Sequence, residues 1–102
     1  MNQQDICVRI FKALGHPIRY KIVKFLYEGP KCVCKLNENI EFSQANLSQH
    51  LRILREAGIL TCEKVGMETH YRICCDEIKS IIDCSERYVK SCTNNSKADR
   101  LI

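Results

Sequence analysis

Ser43-Gln44-Ala45-Asn46-Leu47-Ser48-Gln49-His50-Leu51-Arg52-Ile53-Leu54-Arg55-Glu56-Ala57-Gly58-Ile59-Leu60 is the stretch that carries the topology of this chain. Leu47, Leu51 and Leu54 recur at helical spacing and mark a buried side. Ser43 is a suitable N-cap, and Gly58 stands where a helix of this length ends. At about 100° per residue, Ala45, Gln49 and Arg52 point nearly opposite the leucines, with Ser48 and Glu56 at the edges. A helix that is apolar on one side, and small and polar near the N-terminus on the other, suits end-on entry into a major groove. Gln49 can bond an adenine edge, and Ala45 can touch a thymine methyl. Ser43, Ser48 and Arg52 can hold phosphates with the help of the helix N-terminus. His50 falls near the buried side and reads as a packing or phosphate-facing residue. Gln44 and Asn46, at the start of the segment, complete the candidate DNA-binding set. The competing reading of the same face is an ordinary solvated surface.

Downstream the period changes. Residues 59–65 and 69–73 are rich in strand formers, and Gly66-Met67-Glu68 reads as a hairpin tip. Lys64, His70 and Arg72 flank that tip, as a wing that grips phosphates requires. Asp76 can cap a last helix carrying Ile78, Ile81, Ile82, Ser85, Val89 and Cys92 along one side. Upstream, Ile6, Ile10, Phe11 and Leu14 share a helical face within residues 5–14. Gly15 stops that helix, and Pro17 suits the first turn of the next. Ile18, Ile22, Phe25 and Leu26 stripe the second helix, which Gly29-Pro30 closes. Residues 32–40 read as a short third helix. The order is four helices, a two-stranded hairpin and a fifth helix, a mainly α winged helix-turn-helix domain over residues 1–92. The first and last helices would leave apolar stripes exposed in a monomer, so a homodimer through them is expected. The tail, 93–102, has little pattern and is expected to fray.

The composition sets limits on function. With 102 residues the chain makes one ordinary domain. Its 16 basic and 12 acidic residues give a net charge of +4, which is compatible with nucleic acid but does not establish it. The unusual number is 8 Cys, near the range of a secreted disulfide scaffold. Against that, the start lacks the basic flank and apolar stretch of a signal peptide. No apolar run approaches the ~18–20 residues of a membrane span. A cytoplasmic location with reduced thiols is therefore expected, with no membrane association.

Three segments in order strengthen the DNA-binding reading. Phe11-Lys12-Ala13-Leu14-Gly15-His16-Pro17-Ile18-Arg19 resembles the "ALSHPIRL" opening of ArsR/SmtB-family repressors. Lys31-Cys32-Val33-Cys34-Lys35-Leu36 resembles their "LCVCEL" metal-site element. The segment from Ser43 to Leu60 resembles their recognition helix and the turn into the wing. The resemblance runs from about residue 6 to residue 90. It implies a dimeric winged-helix repressor that leaves its operator when an inducer binds. Most members sense metal ions or metalloids, and some sense thiol oxidation or persulfides.

The thiols are Cys7, Cys32, Cys34, Cys62, Cys74, Cys75, Cys84 and Cys92. None forms a CxxC pair, so neither a zinc ribbon nor a thioredoxin-type motif is present. Thiolates favour soft ions: As(III), Cd, Pb, Zn or Cu(I). On a regular helix Cys32 and Cys34 would lie about 200° apart. At an irregular helix start, which Gly29-Pro30 makes plausible, they can converge. In the related metal sensors this element supplies two thiolates, and a third comes from the N-terminal region, sometimes of the other subunit. Cys7 is the candidate here, although it sits in the first helix rather than in a longer arm. Cys74, Cys75, Cys84 and Cys92 form a second group around the last helix. Cys84 and Cys92 stand ~12 Å apart along that helix, too far to share one ion within it. Some family members place a zinc site there with Asp and His. Cys75, Asp76 and Glu77 fall at the matching start, but Tyr88 stands where a His would be needed. Cys62 is expected to pack in the core, and His16 to be structural.

The leading expectation is a non-enzymatic operator-DNA-binding repressor that responds to a soft metal or metalloid of the arsenite, cadmium or lead class. The alternative keeps the fold and makes the signal thiol oxidation or persulfidation. A small thiol enzyme or metal-storage module is the reading from a different class. It lacks a visible nucleophile–base pairing and a phosphate loop.

Overall fold

The computed structural model describes residues 1–93. Helix α1 (Gln3–Leu14) starts at Asn2, whose side chain accepts from the Asp5 amide, and stops at Gly15. Helix α2 (Pro17–Phe25) has proline in its first turn, where a missing N–H costs nothing. Its N-cap is His16, whose Nδ1 accepts from the Ile18 amide at 3.1 Å. A 3-10 turn over Leu26–Glu28 leads to Gly29 and Pro30.

The segment expected as one helix over 32–40 is three elements. Lys31–Cys32 is a short strand, β1. Helix α3 (Val33–Glu38) follows, and after Asn39, which is extended at ψ 119°, comes a single turn, α4 (Ile40–Ser43). Asn39 ends one helix and caps the next through its side-chain oxygen, which accepts from the Glu41 amide at 2.9 Å. Phe42 fixes the break, because its ring is buried and meets Phe25 edge-on at 5.7 Å.

That break also corrects the start of the candidate recognition helix. Ser43 ends α4, and its hydroxyl donates back to the Ile40 carbonyl. Helix α5 begins at Leu47 with Asn46 as N-cap and runs to Glu56. It ends as the sequence implies. The Ile59 amide reaches the Leu54 carbonyl at 3.0 Å, and the Gly58 amide reaches the Arg55 carbonyl at 3.0 Å. These are the paired bonds of a Schellman ending, and Gly58 supplies its positive φ of 80°.

Strand β2 (Leu60–Val65) and strand β3 (Glu68–Ile73) pair antiparallel, with Val65 opposite Glu68. The tip is therefore only Gly66-Met67, a two-residue turn with positive φ at its glycine, and Glu68 belongs to the sheet rather than the turn. Strand β1 adds to the other edge of β3, giving the order β1-β3-β2. Helix α6 (Asp76–Thr93) closes the described chain. The residues expected to fray after 93 lie outside the described residues.

The core gathers the leucines of α5 with Ile22, Val23 and Leu26 from α2 and its turn. Leu36, Phe42, Ile59, Leu60, Tyr71, Ile73, Ile78 and Ile82 join it from the other elements. Helix α1 contributes only Ala13 and Leu14 as buried residues, so most of its length stands off the core.

Candidate functional site

Helix α5 is held from below by its three buried leucines, which leaves Ser48, Gln49, Arg52 and Arg55 exposed in a row. The Asn46 side-chain Nδ2 donates to Gln49 Oε1 at 2.8 Å, so two polar residues at the helix start are braced as one unit. Gln44 is exposed, and Ala45 is half-buried in the turn before the helix. Ser43, Gln44 and Ala45 thus flank the helix instead of lying on it.

His50 is half-buried and turned towards α2. Its Nδ1 lies 3.3 Å from Arg19 Nη1, and its ring stands 4.6 Å from that of His16. Arg19 Nε in turn donates to the Ala13 carbonyl at 2.7 Å. Burial first, then the charges of His16 and Arg19, lowers the His50 pKa from its ordinary value. This places His50 at the joint between α2 and α5, in agreement with its position near the leucine side.

The register of the hairpin sorts its basic residues by face. Lys64 pairs with Thr69, Glu63 with His70, and Thr61 with Arg72. Alternation along a strand therefore puts Lys64 on the face shared with Cys62 and Tyr71, and His70 and Arg72 on the other. The three basic wing residues do not form a single gripping face.

His70 faces the cysteine pair instead, since it stands opposite Cys32 in the register of β1 with β3. Cys32 is the N-cap of α3, in an extended conformation, and its sulfur accepts from the Cys34 amide at 3.0 Å. The irregular helix start expected after Gly29-Pro30 is thus present. It brings Cys32 and Cys34 together as a disulfide, with Cα atoms 5.2 Å apart, so the pair offers two thiolates only once it is reduced. Cys32 is buried and Cys34 exposed.

Glu68 completes this group. Its carboxylate and the two sulfurs all lie within 4.8 Å of one another, which makes Cys32, Cys34 and Glu68 the one potential metal-ligating cluster among the described residues. Cys34 Sγ sits 3.8 Å from Glu68 Oε2, and His70 Nε2 lies 3.0 Å from Glu68 Oε1. An open cleft of about 400 Å³ borders the cluster, lined also by Phe25, Pro30, Lys35 and Glu38. Two thiolates and a carboxylate suit a thiophilic divalent ion and do not suit Mg or Ca. Cys7 is exposed on α1 and is not gathered with the pair in this chain. In the sequence Glu68 stands beside the hairpin tip with no local signal that links it to the cysteines. Its place in β3, diagonal to Cys32 across the β1–β3 pairing, is a matter of register.

The remaining thiols are dispersed. Cys74 and Cys75 sulfurs are 3.3 Å apart at the entry of α6. Burial, then the bond to Cys75, pushes the Cys74 thiol up to about 11. Cys84 is exposed and Cys92 buried. Cys62 packs partly against the core, with Arg55 Nη1 3.8 Å from its sulfur.

Helix α6 is tied to α2 and its turn by polar bonds. The Tyr20 hydroxyl donates to Glu86, and Lys24 Nζ reaches the same carboxylate at 2.9 Å. The Tyr27 hydroxyl donates to Asp83 at 3.0 Å. Burial, followed by the bond to Glu86, pushes the Tyr20 phenol up to about 12. Tyr27 is shifted upwards in the same way, with Asp83 as partner.

A buried-leucine helix presenting a polar row, followed by a two-stranded wing, defines a winged helix-turn-helix DNA-binding regulator. The family model described as "Bacterial regulatory protein, arsR family" matches residues 16–61. An uncharacterised HTH-type transcriptional regulator of Methanocaldococcus jannaschii is 41% identical over 83 residues, covering 80% of this chain and 93% of its own. A cadmium resistance transcriptional regulatory protein CadC homolog of Staphylococcus aureus is 36% identical, covering 80% of this chain and 68% of its own. The crystal structure of Mycobacterium tuberculosis Rv0081 superposes with a TM-score of 0.78 at 27% identity, over 97% of each chain. The chain belongs to the arsR family of transcriptional regulators. Among the described residues, no helix is long and apolar enough to cross a membrane.

Proposed function

We propose that this protein is a homodimeric operator-binding repressor, acting in the cytoplasm, whose inducer is a soft metal or metalloid held by Cys32 and Cys34. The observation that carries the reading is the convergence of these two sulfurs at the β1–α3 junction, one strand away from the wing. Helix α5 would enter the major groove with Ser48 and Gln49 foremost, Asn46 bracing Gln49, and Arg52 on phosphate. Ser43, Gln44 and Ala45 would approach the backbone from the preceding turn. Arg72 and Lys64 would meet phosphates from the two faces of the wing.

The dimer is supported by apolar side chains that the single chain leaves uncovered. Phe11 and Tyr88 are each 63% exposed, and Ile6, Val8 and Val89 are exposed beside them on the same two helices. Pairing α1 and α6 across a two-fold axis would bury them and set two α5 helices on half-sites about 10 bp apart. The Tyr20–Glu86 and Tyr27–Asp83 bonds run from α2 and its turn to α6, and Cys32 follows Tyr27 by five residues in sequence. An ion on the cysteine pair would therefore act on a segment fastened to the dimer helix. Coupling of ~1–3 kcal/mol is the usual scale, and it is reciprocal, so operator DNA must weaken inducer binding by the same factor.

A fluorescent duplex carrying the promoter beside the protein's own gene, titrated with reduced protein, tests the reading. As(III), Cd, Pb, Zn and an oxidant form the inducer panel. Release by at least one soft ion is the expected result. Unchanged affinity with every member of the panel overturns sensing at this site. A second reading, release by thiol oxidation, is favoured by the 5.2 Å Cα separation of Cys32 and Cys34, which lies within disulfide range. Release by the oxidant alone would select it.

A further inference from the structure

We propose that Glu68, carried by the wing, is the third protein ligand of the Cys32–Cys34 site, that His70 orients its carboxylate, and that the site is built for a thiophilic divalent ion of the zinc and cadmium class. This rests on the reading of Cys32 and Cys34 as the inducer site and narrows its ligand. The two sulfurs and a Glu68 oxygen already lie within 4.8 Å of one another. They are brought there by two independent constraints. The helix start draws Cys34 back onto Cys32, with the Cys34 amide on the Cys32 sulfur. The sheet register sets His70 opposite Cys32 and Glu68 two residues further along the same strand face, on the diagonal.

Glu68 is 56% exposed and bonded to His70 at 3.0 Å, the partner arrangement that commonly fixes a ligating carboxylate. Two thiolates with a carboxylate match the donor preference of Zn and Cd, and a fourth position is left for water or another thiolate. Trivalent arsenic, which favours thiolates, gains little from Glu68. Binding a divalent ion would release the two thiol protons to solvent and replace the Cys34–Glu68 contact.

A functional consequence follows from where Glu68 stands. It closes the hairpin opposite Val65, next to the Gly66-Met67 tip. An ion shared by Glu68 and the cysteine pair would fasten the wing tip to the start of α3, the segment that precedes the recognition helix. The wing is then a moving part of the sensor and not only a grip on phosphate.

The test uses the reduced full chain with Cd and Co(II) as probes, and the variants E68Q, H70Q and C32S/C34S. Affinity by chelator competition, the Co(II) ligand-field spectrum and amide exchange at residues 63–69 are the readouts. E68Q should weaken Cd binding roughly 10- to 100-fold, shift the Co(II) spectrum and abolish the slowing of wing exchange by Cd. H70Q should weaken Cd binding by a smaller factor, and arsenite affinity should be the same in E68Q as in the parent. If E68Q binds Cd like the parent with an unchanged Co(II) spectrum, Glu68 is not a ligand and the proposal is overturned, while the cysteine reading stands. If C32S/C34S binds Cd like the parent, the cysteine reading falls and this proposal falls with it.

Discussion

Cys32 and His70 stand directly opposite one another where β1 pairs with β3. The pair joins two elements, because Cys32 caps α3 and His70 lies on the wing. A change at the cysteine site thus reaches the wing through one rung of a hydrogen-bonded sheet, with no loop between them. The helix-turn-helix unit between β1 and β2 is likewise bracketed by elements of the same sheet.

Replacing Cys32 and Cys34 together by Ser should separate sensing from DNA binding. Serine is itself a good N-cap, so the start of α3 should survive the loss of the Cys32 sulfur cap. Operator affinity, measured by fluorescence anisotropy, should change less than about twofold. The inducer response, about 5- to 150-fold on the usual coupling scale, should disappear. A double variant that still releases DNA on adding soft ion places the sensor elsewhere.

On helix α5, Gln49→Ala and Arg52→Ala should fail in different ways. On the proposed docking, in which Gln49 meets a base edge, Gln49→Ala should cost about 1–3 kcal/mol on the operator and little on random duplex. Arg52→Ala should weaken both duplexes alike and lower the salt slope by about 1. Equal behaviour of the two variants across sequence and salt would remove the assignment of Gln49 to a base edge.

The His50 pKa is depressed in the fold, so the neutral ring is the native form. The unfolded chain takes up its proton first as pH falls, near the ordinary value of about 6.5. The contribution is therefore fully present above that value and is lost progressively as pH drops towards the lowered native value. Urea midpoints followed downwards from pH 7 should decline in the parent, and the decline should be shallower in His50→Gln. A parallel decline in both proteins would mean that other groups cause it.

Phe11→Glu with Tyr88→Glu should give a folded monomer. Both side chains are 63% exposed in the single chain, so charge there should leave the core intact. Sedimentation equilibrium should report the mass of one chain. Operator affinity should fall at least tenfold, since one half-site contact is then no longer linked to the other. A double variant that sediments as a dimer would move the interface away from α1 and α6.

Much of this architecture is written locally in the chain. The leucine spacing and Gly58 fix helix α5 and its ending, because both depend on contacts within a few residues of one helix. Pro17 and Gly15 set the α1–α2 joint for the same reason. The sequence also marks Cys32 and Cys34 as a pair and Gly29-Pro30 as the irregularity that lets them meet. What it left open depends on partners distant in the chain. Ser43 has the chemistry of an N-cap, but burial of Phe42 against Phe25 winds residues 40–43 into their own turn and hands the cap to Asn46. Lys64 and His70 are both basic hairpin residues, yet strand alternation sends them to opposite faces. Glu68 has no local signal at all. Its place beside two thiols comes from a third strand only two residues long, and that pairing depends on tertiary packing, which periodicity within a segment does not encode.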